Sequence, residues 1–291
     1  MAIFFFMGKM VWDNWAQVKE VPFSVNSLGL FWATLVFVLS YFIQIGVWYL
    51  LTVKLGIHLS PSETLTAWFY SQMGKYLPGK VWLIVGRFYF YTSRGKSKKA
   101  ISLALYFETM TLLIAGGLLF VISLFFFKEM GQLYSARSWG WVLFLFLLVL
   151  LSLHPKMLQK ILNWILLRLN QEPISLSISY SDILWVLGLS ILSWVIGGVG
   201  FYLFVDSILP SSFGNFLFLT GALAISHILG LFAIIVPGGL GVREGVLVYL
   251  LSWIMPNSVA VILSVLTRLW MTLIEIGLIG VIYFLHQFYK E

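Results

Sequence analysis

The chemistry this chain can offer is concentrated in a few charged residues set among apolar ones. Arg243 and Glu244 stand in the run Pro237-Gly238-Gly239-Leu240-Gly241-Val242-Arg243-Glu244-Gly245, and Arg87, Glu108, Arg268 and Glu275 interrupt stretches that are otherwise hydrophobic. An arginine presents a planar fork that matches two phosphate oxygens, and backbone N–H groups freed by a glycine-rich break favour anions. Carboxylates at the same depth would keep the arginines oriented. The chemistry is therefore reception of an anionic head group, with Arg243, Glu244, Gly238, Gly239, Gly241, Arg87, Glu108, Arg268, Glu275, Pro78 and Pro237 as candidate binding residues. The other reading of Glu108, Arg268 and Glu275 is that they pair only to hold a bundle together.

What positions these residues is a membrane. The chain is 60% hydrophobic and 10% charged over 291 residues, with a mean hydropathy of +0.97. A soluble domain of this size does not look like this; the composition is that of an all-α, polytopic membrane protein forming one integral membrane domain over 1–291. Spanning helices are expected near 28–53, 99–126, 137–154, 181–205 and 258–286, each close to or above the ~20 residues needed to cross. Residues 1–17 read as a short first span or as an interfacial helix, the span being favoured. Residues 155–169 alternate Lys156, Lys160 and Arg168 with Met157, Leu158, Ile161, Leu162, Ile165 and Leu166, the pattern of an amphipathic helix lying in the interface.

Two regions are neither spans nor loops. Residues 62–93 form two half-length apolar pieces broken at Tyr76-Leu77-Pro78-Gly79-Lys80, and residues 212–256 a longer pair broken at Pro237. Proline lacks an N–H and clustered glycines do not hold a helix, so both read as broken or re-entrant helical hairpins. They also look like copies. Leu39-Ser40-Tyr41 and Tyr49-Leu50 recur as Leu192-Ser193-Trp194 and Tyr202-Leu203, and Pro78-Gly79 recurs as Pro237-Gly238 at a slightly longer spacing. Repeat one runs over about 28–126 and repeat two over about 181–286. An odd number of expected crossings separates them, so the repeats are inverted, as in many secondary transporters. Under this alignment Glu108 falls opposite Arg268, and Glu275 lies two turns beyond Arg268 on the same helix face.

Charge assigns the sides. The stretch from Lys54 to Lys99 carries Lys54, Lys75, Lys80, Arg87, Arg94, Lys96, Lys98 and Lys99 against Glu63 alone, which by the positive-inside rule puts it, 155–180 and the C-terminus in the cytoplasm. The net charge of +7 thus reports topology and anionic-lipid contact rather than nucleic-acid binding. Cysteine is absent, which removes disulfides and thiolate chemistry. No metal-ligand spacing and no nucleotide-binding glycine motif occurs, so neither metal nor cofactor is expected. His227, ahead of Pro237, reads either as a proton relay or as a satisfied interior histidine, the second being favoured.

The glycine-rich run at Pro237–Gly245 resembles the hallmark of the lysylphosphatidylglycerol synthase transmembrane-region family. Tyr76-Leu77-Pro78-Gly79-Lys80-Val81-Trp82 with Gly86-Arg87 and the later Glu108 is similar to that family's first broken region. The resemblance covers roughly the whole chain. It implies a flippase domain that moves a lipid between leaflets. Two-domain members add a soluble aminoacyl-transferase; none is found up to Glu291, so the chain is read as a stand-alone member and the synthase activity is not carried over.

The function expected is translocation of a phospholipid or a lipid-linked phosphate or sugar, in the inner (cytoplasmic) cell membrane. The partners expected are that anionic or phosphate-bearing lipid and the bilayer, not nucleic acid, with oligomerisation left open. Two alternatives stay open: an integral-membrane glycosyl- or phosphotransferase, and an ion-coupled carrier of a soluble anion. The weight falls against an enzyme, because Asp13, Asp182 and Asp206 are isolated and only Glu244 is placed to act as a base.

Overall fold

The computed structural model describes Trp12 and residues 25–77, 81–127, 153–168, 173, 177–209, 215–233 and 236–288. Their regular structure is helical, in the order α1 (Ser27–Lys54), α2 (Pro61–Met73), α3 (Val81–Thr92), α4 (Lys98–Phe126), α5 (Pro155–Arg168), α6 (Tyr180–Ile208), α7 (Phe216–Phe232), α8 (Val242–Leu251) and α9 (Asn257–Phe288). Short 3-10 turns at Gly74–Tyr76 and Pro237–Gly239 interrupt the two hairpins. The helices α1, α4, α6 and α9 are long and apolar enough to cross a bilayer, at the positions the hydrophobic runs predict. The expected spans at 1–17 and 137–154 fall almost entirely outside the described residues.

Local chemistry explains where the helices start. Asn26 caps α1 by accepting from Gly29 N, and Ser97 caps α4 by accepting from Ala100 N. Reciprocal capping boxes open α2 (Ser60 with Glu63) and α6 (Ser179 with Asp182), each satisfying N–H groups that a first turn otherwise leaves bare. Helix α5 is the expected amphipathic element, and Met157, Ile161, Trp164 and Leu167 on it are all exposed. An apolar stripe turned away from the protein is what an interfacial helix needs.

The spine is the antiparallel pair α1 and α6. Asn26 N donates to Ser207 O (2.9 Å) near one end, and Lys54 pairs with Asp182 (2.8 Å) at the other. Between them Ser193 Oγ donates to Ser40 O at 2.9 Å. Small residues permit this approach: a Cβ on Gly200 would lie 2.9 Å from Phe37 N. Without a hydrophobic force between helices in lipid, such close packing supplies the adhesion. Ser40 and Ser193 are residues that the sequence repeat equates, so the contact is consistent with an inverted repeat whose axis passes near them.

The two hairpins enter from opposite ends of this spine. Glu63 at the start of α2 pairs with Arg94 beyond α3 at 3.0 Å, on the end that also holds Lys54 and Asp182, so the first hairpin returns to where it began. Ser60 and Arg94 hold the Glu63 carboxyl below its usual range. The second hairpin returns likewise: Phe218 of α7 stacks on Trp253 beyond α8, with Phe127 at the end of α4 against both. Each turn closes on a glycine. A Cβ on Gly74 would strike the backbone of Trp82 and Leu83, and one on Gly239 would lie 2.6 Å from Gly230 O.

If the basic end is cytoplasmic, a Lys96→Cys variant of this cysteine-free chain should react with a membrane-impermeant thiol reagent only after the membrane is opened. Ser252→Cys should react in intact cells. The reverse labelling pattern would invert the topology.

Candidate functional site

Each half holds one buried ion pair joining its hairpin to the long helix that follows, and the two pairs have opposite polarity. In the first half, Arg87 of α3 pairs with Glu108 of α4, the arginine 1% exposed and the glutamate 7%. Arg87 Nε donates to Ser71 Oγ, and Trp68 Nε1 donates to Glu108 Oε1, both at 3.2 Å. The Trp48 ring lies 4.5 Å from the guanidinium carbon and itself donates to Tyr91. Both members of the pair thus have further hydrogen-bond partners, as a buried pair needs if it is to offset its desolvation.

In the second half the carboxylate is on the hairpin and the cation on the helix. Gly238, Gly239 and Gly241 have φ of 60°, 70° and 78°, a left-handed path that only glycine follows at low cost. A Cβ on Gly238 would also lie 2.5 Å from Arg268 Nη2, so the arginine end would have to shift. That nitrogen donates to Gly238 O at 2.9 Å. Gly241 N, at the start of α8, donates to Glu244 Oε2 at 2.7 Å. Yet Arg268 Nε and Glu244 Oε1 stand 3.6 Å apart, beyond hydrogen-bond length, and both are buried without a hydrogen-bond partner. This pair is loose where the first is tight.

Arg243 stands beside it. Its Cβ packs against Gly230, and its Nη2 lies against Met271 Sδ, a weak acceptor. Among the described residues no carboxylate lies within ion-pair distance of its guanidinium. His227, one turn before Gly230, holds Leu223 O through Nδ1 at 2.8 Å and meets Trp194 edge-on. It lies within electrostatic reach of Arg243, Arg268 and Lys75.

Glu275 forms a third centre, between the halves. It accepts from Tyr41 of α1 and from Lys75 Nζ, both at 2.5 Å, and from Tyr76. Lys75 and Tyr76 are the tip of the first hairpin. That tip meets the second: a Cβ on Gly238 would be 3.8 Å from Lys75 O. The two broken regions therefore converge, and among the described residues Lys75, Arg243 and Arg268 face Glu244 and Glu275.

Two expectations need correction. Glu108, Arg268 and Glu275 do not form one network: Glu108 pairs with Arg87, Arg268 with Glu244 and Glu275 with Lys75. The hairpin of each half lies nearer to its own long helix than that helix does to its counterpart across the molecule. Lys75 and Arg87, counted with the cytoplasmic positive charges, are interior residues, Lys75 as part of an ion pair and Arg87 fully buried. The sidedness then rests on Lys54, Arg94, Lys96, Lys98 and Lys99 with Lys156, Lys160 and Arg168 of α5, Lys80 lying outside the described residues. Lys75 was missed as a site residue because a lone lysine beside a Pro-Gly break reads as a loop charge. Its only sequence signal was its place three residues before Pro78, which lies outside the described residues. Pro237 opens the second turn. Among the described residues no three His, Asp or Glu side chains gather as metal ligation requires.

The sequence profile of the lysylphosphatidylglycerol synthase TM region family matches residues 1–280. The chain belongs to that family. No curated protein and no solved structure matches it. With the apolar spans, the family makes this a multi-pass membrane protein whose class is named for a lipid synthase, and its converging hairpin tips are the candidate site.

Arg87→Leu should destabilise the protein by ~3–5 kcal/mol, the usual penalty for stranding one member of a buried pair. Arg87→Leu with Glu108→Leu should recover most of that loss in a thermal melt in detergent, whereas Glu108→Arg with Arg268→Glu should recover none. Gly239→Ala should be unfavourable by ~1–3 kcal/mol for its positive φ alone, seen in the same melt.

Proposed function

We propose that this protein moves a phosphate-bearing lipid between the leaflets of the cell membrane, with the head group passing the point where the hairpin tips meet. Arg243 carries the reading: it is a charged fork at a glycine-rich break, without a carboxylate partner among the described residues, next to a pair whose facing atoms are unsatisfied. An unpaired charge in a membrane interior is expensive and marks a pathway or a site by default. A head-group phosphate would supply what Arg243 and Arg268 Nε lack. Glu244 would hold the arginines in register while the site is empty. The opposed hairpins and the antiparallel α1 and α6 support an inverted repeat, the architecture in which such sites sit between two halves that rock against each other. The lipid tails would stay in the bilayer while the head group crosses, so the site needs a side opening rather than an enclosed pore.

Purified protein in liposomes, with lipids labelled on different head groups, tests this directly. Movement of a phosphate-bearing lipid between leaflets is expected; a chemically altered lipid would mean an enzyme, and uptake of a soluble anion without lipid movement a carrier. Arg243→Lys should impair transport with a near-unchanged melting temperature, because it keeps the charge and loses the fork. Arg243→Ala should lose head-group binding by ~2–5 kcal/mol. A full lipid-induced rise in melting temperature for Arg243→Ala would remove Arg243 from the site.

A further inference from the structure

We infer that Lys75 is a releasable phosphate ligand, held on Glu275 while the site is empty and passed to the phosphate of the lipid when it is filled. The inference rests on the reading of the site as a receiver of phosphate-bearing lipid, and it adds a residue from the opposite half of the chain.

Three features of the Glu275 centre separate it from the Arg87–Glu108 pair. Glu275 has more donors than it needs: Lys75 and Tyr41 share Oε1, and Tyr76 holds Oε2. If Lys75 leaves, a tyrosine O–H remains on each oxygen, so the carboxylate is not stranded without hydrogen bonds. Glu108 has no such reserve, since Trp68 is its one other side-chain donor among the described residues. Exposure differs in the same sense. The Lys75 side chain is 24% exposed while that of Glu275 is 7% and that of Arg87 1%, so the movable member of the pair is also the reachable one.

Position supplies the third. The Lys75 backbone abuts Gly238, whose carbonyl holds Arg268, and Lys75 is within electrostatic reach of both Arg243 and Arg268. A lysine is a compact charge on a flexible four-carbon stem with rotatable donors, suited to exchange partners where an arginine fork is suited to stay. A phosphate between Arg243 and Lys75 would join the tip of one hairpin to the other through the lipid, and would loosen the Glu275 tie between the halves as it did so.

The decisive variant is Glu275→Gln, which keeps size and an acceptor oxygen for the tyrosines but removes the charge that competes for Lys75. In mixed micelles doped with phosphatidylglycerol its affinity for that lipid should rise about tenfold over the parent, the scale of removing one close competing charge. A Glu275 that merely pins the hairpin has the opposite sign: loosening the tip weakens binding. Unchanged or weakened affinity in a folded Glu275→Gln protein overturns the inference. Should that variant not fold, Lys75→Met with Glu275→Gln, which has no charge to strand, replaces it; a loss of affinity confined to phosphatidylglycerol, with binding of a phosphate-free galactolipid unchanged, supports the inference, whereas parent-level affinity or an equal loss for both lipids overturns it. Inorganic phosphate and a phosphate-free galactolipid are the control ligands. Tightening toward inorganic phosphate but not toward the lipid would keep the exchange and defeat the lipid reading. Loss of lipid binding in Arg243→Ala without any gain in Glu275→Gln would keep the site and defeat the exchange.

Discussion

A helix broken within an apolar interior leaves backbone groups that its surroundings cannot satisfy, and most of the interior chemistry here follows from that constraint. Pro237 and the left-handed glycines open the second hairpin. The carbonyl this bares at Gly238 is taken by Arg268, and the N–H bared at Gly241 by Glu244. Charged side chains do this well because ionised partners make stronger hydrogen bonds. Once drawn inside, however, the charges need partners of their own, and the long helices behind the hairpins carry them.

The two halves meet this need differently. Arg87 and Glu108 are tied to each other and to Ser71 and Trp68, with the Trp48 ring against the guanidinium. Glu244 and Arg268 spend their best hydrogen bonds on the backbone of the break and face each other across a longer gap. One half is braced and the other is poised. The glycine path that allows the backbone to turn is the same feature that leaves the second pair loose.

The halves are joined where the spine and the tips allow it. Ser40 and Ser193 meet at the crossing of α1 and α6, where small residues bring backbones close enough for packing to replace the missing hydrophobic force. Near the tips, Glu275 gathers Tyr41, Lys75 and Tyr76 from the first half. Trp270 adds an indole hydrogen bond to Thr34 at 3.0 Å. Polar ties over an otherwise apolar interface can be exchanged one at a time, whereas a continuous apolar interface would have to part as a whole.

Sequence alone was enough for what depends on neighbours along the chain. Long apolar runs placed α1, α4, α6 and α9, the Pro-Gly breaks marked both hairpins, and the basic amphipathic pattern marked α5, because length, propensity and capping are local. It was also enough to single out Arg87, Glu108, Arg243, Glu244, Arg268 and Glu275, since charge within apolar sequence is conspicuous. It was not enough to pair them. Several carboxylates and cations lie at comparable chain distance, and hydropathy in lipid carries little sense of which helix face meets which neighbour. Only the tertiary structure decided that Glu108 belongs to Arg87 and Glu275 to Lys75, two hundred residues away. Such pairings are set by which elements are brought together after the helices exist, and no spacing in the chain encodes that.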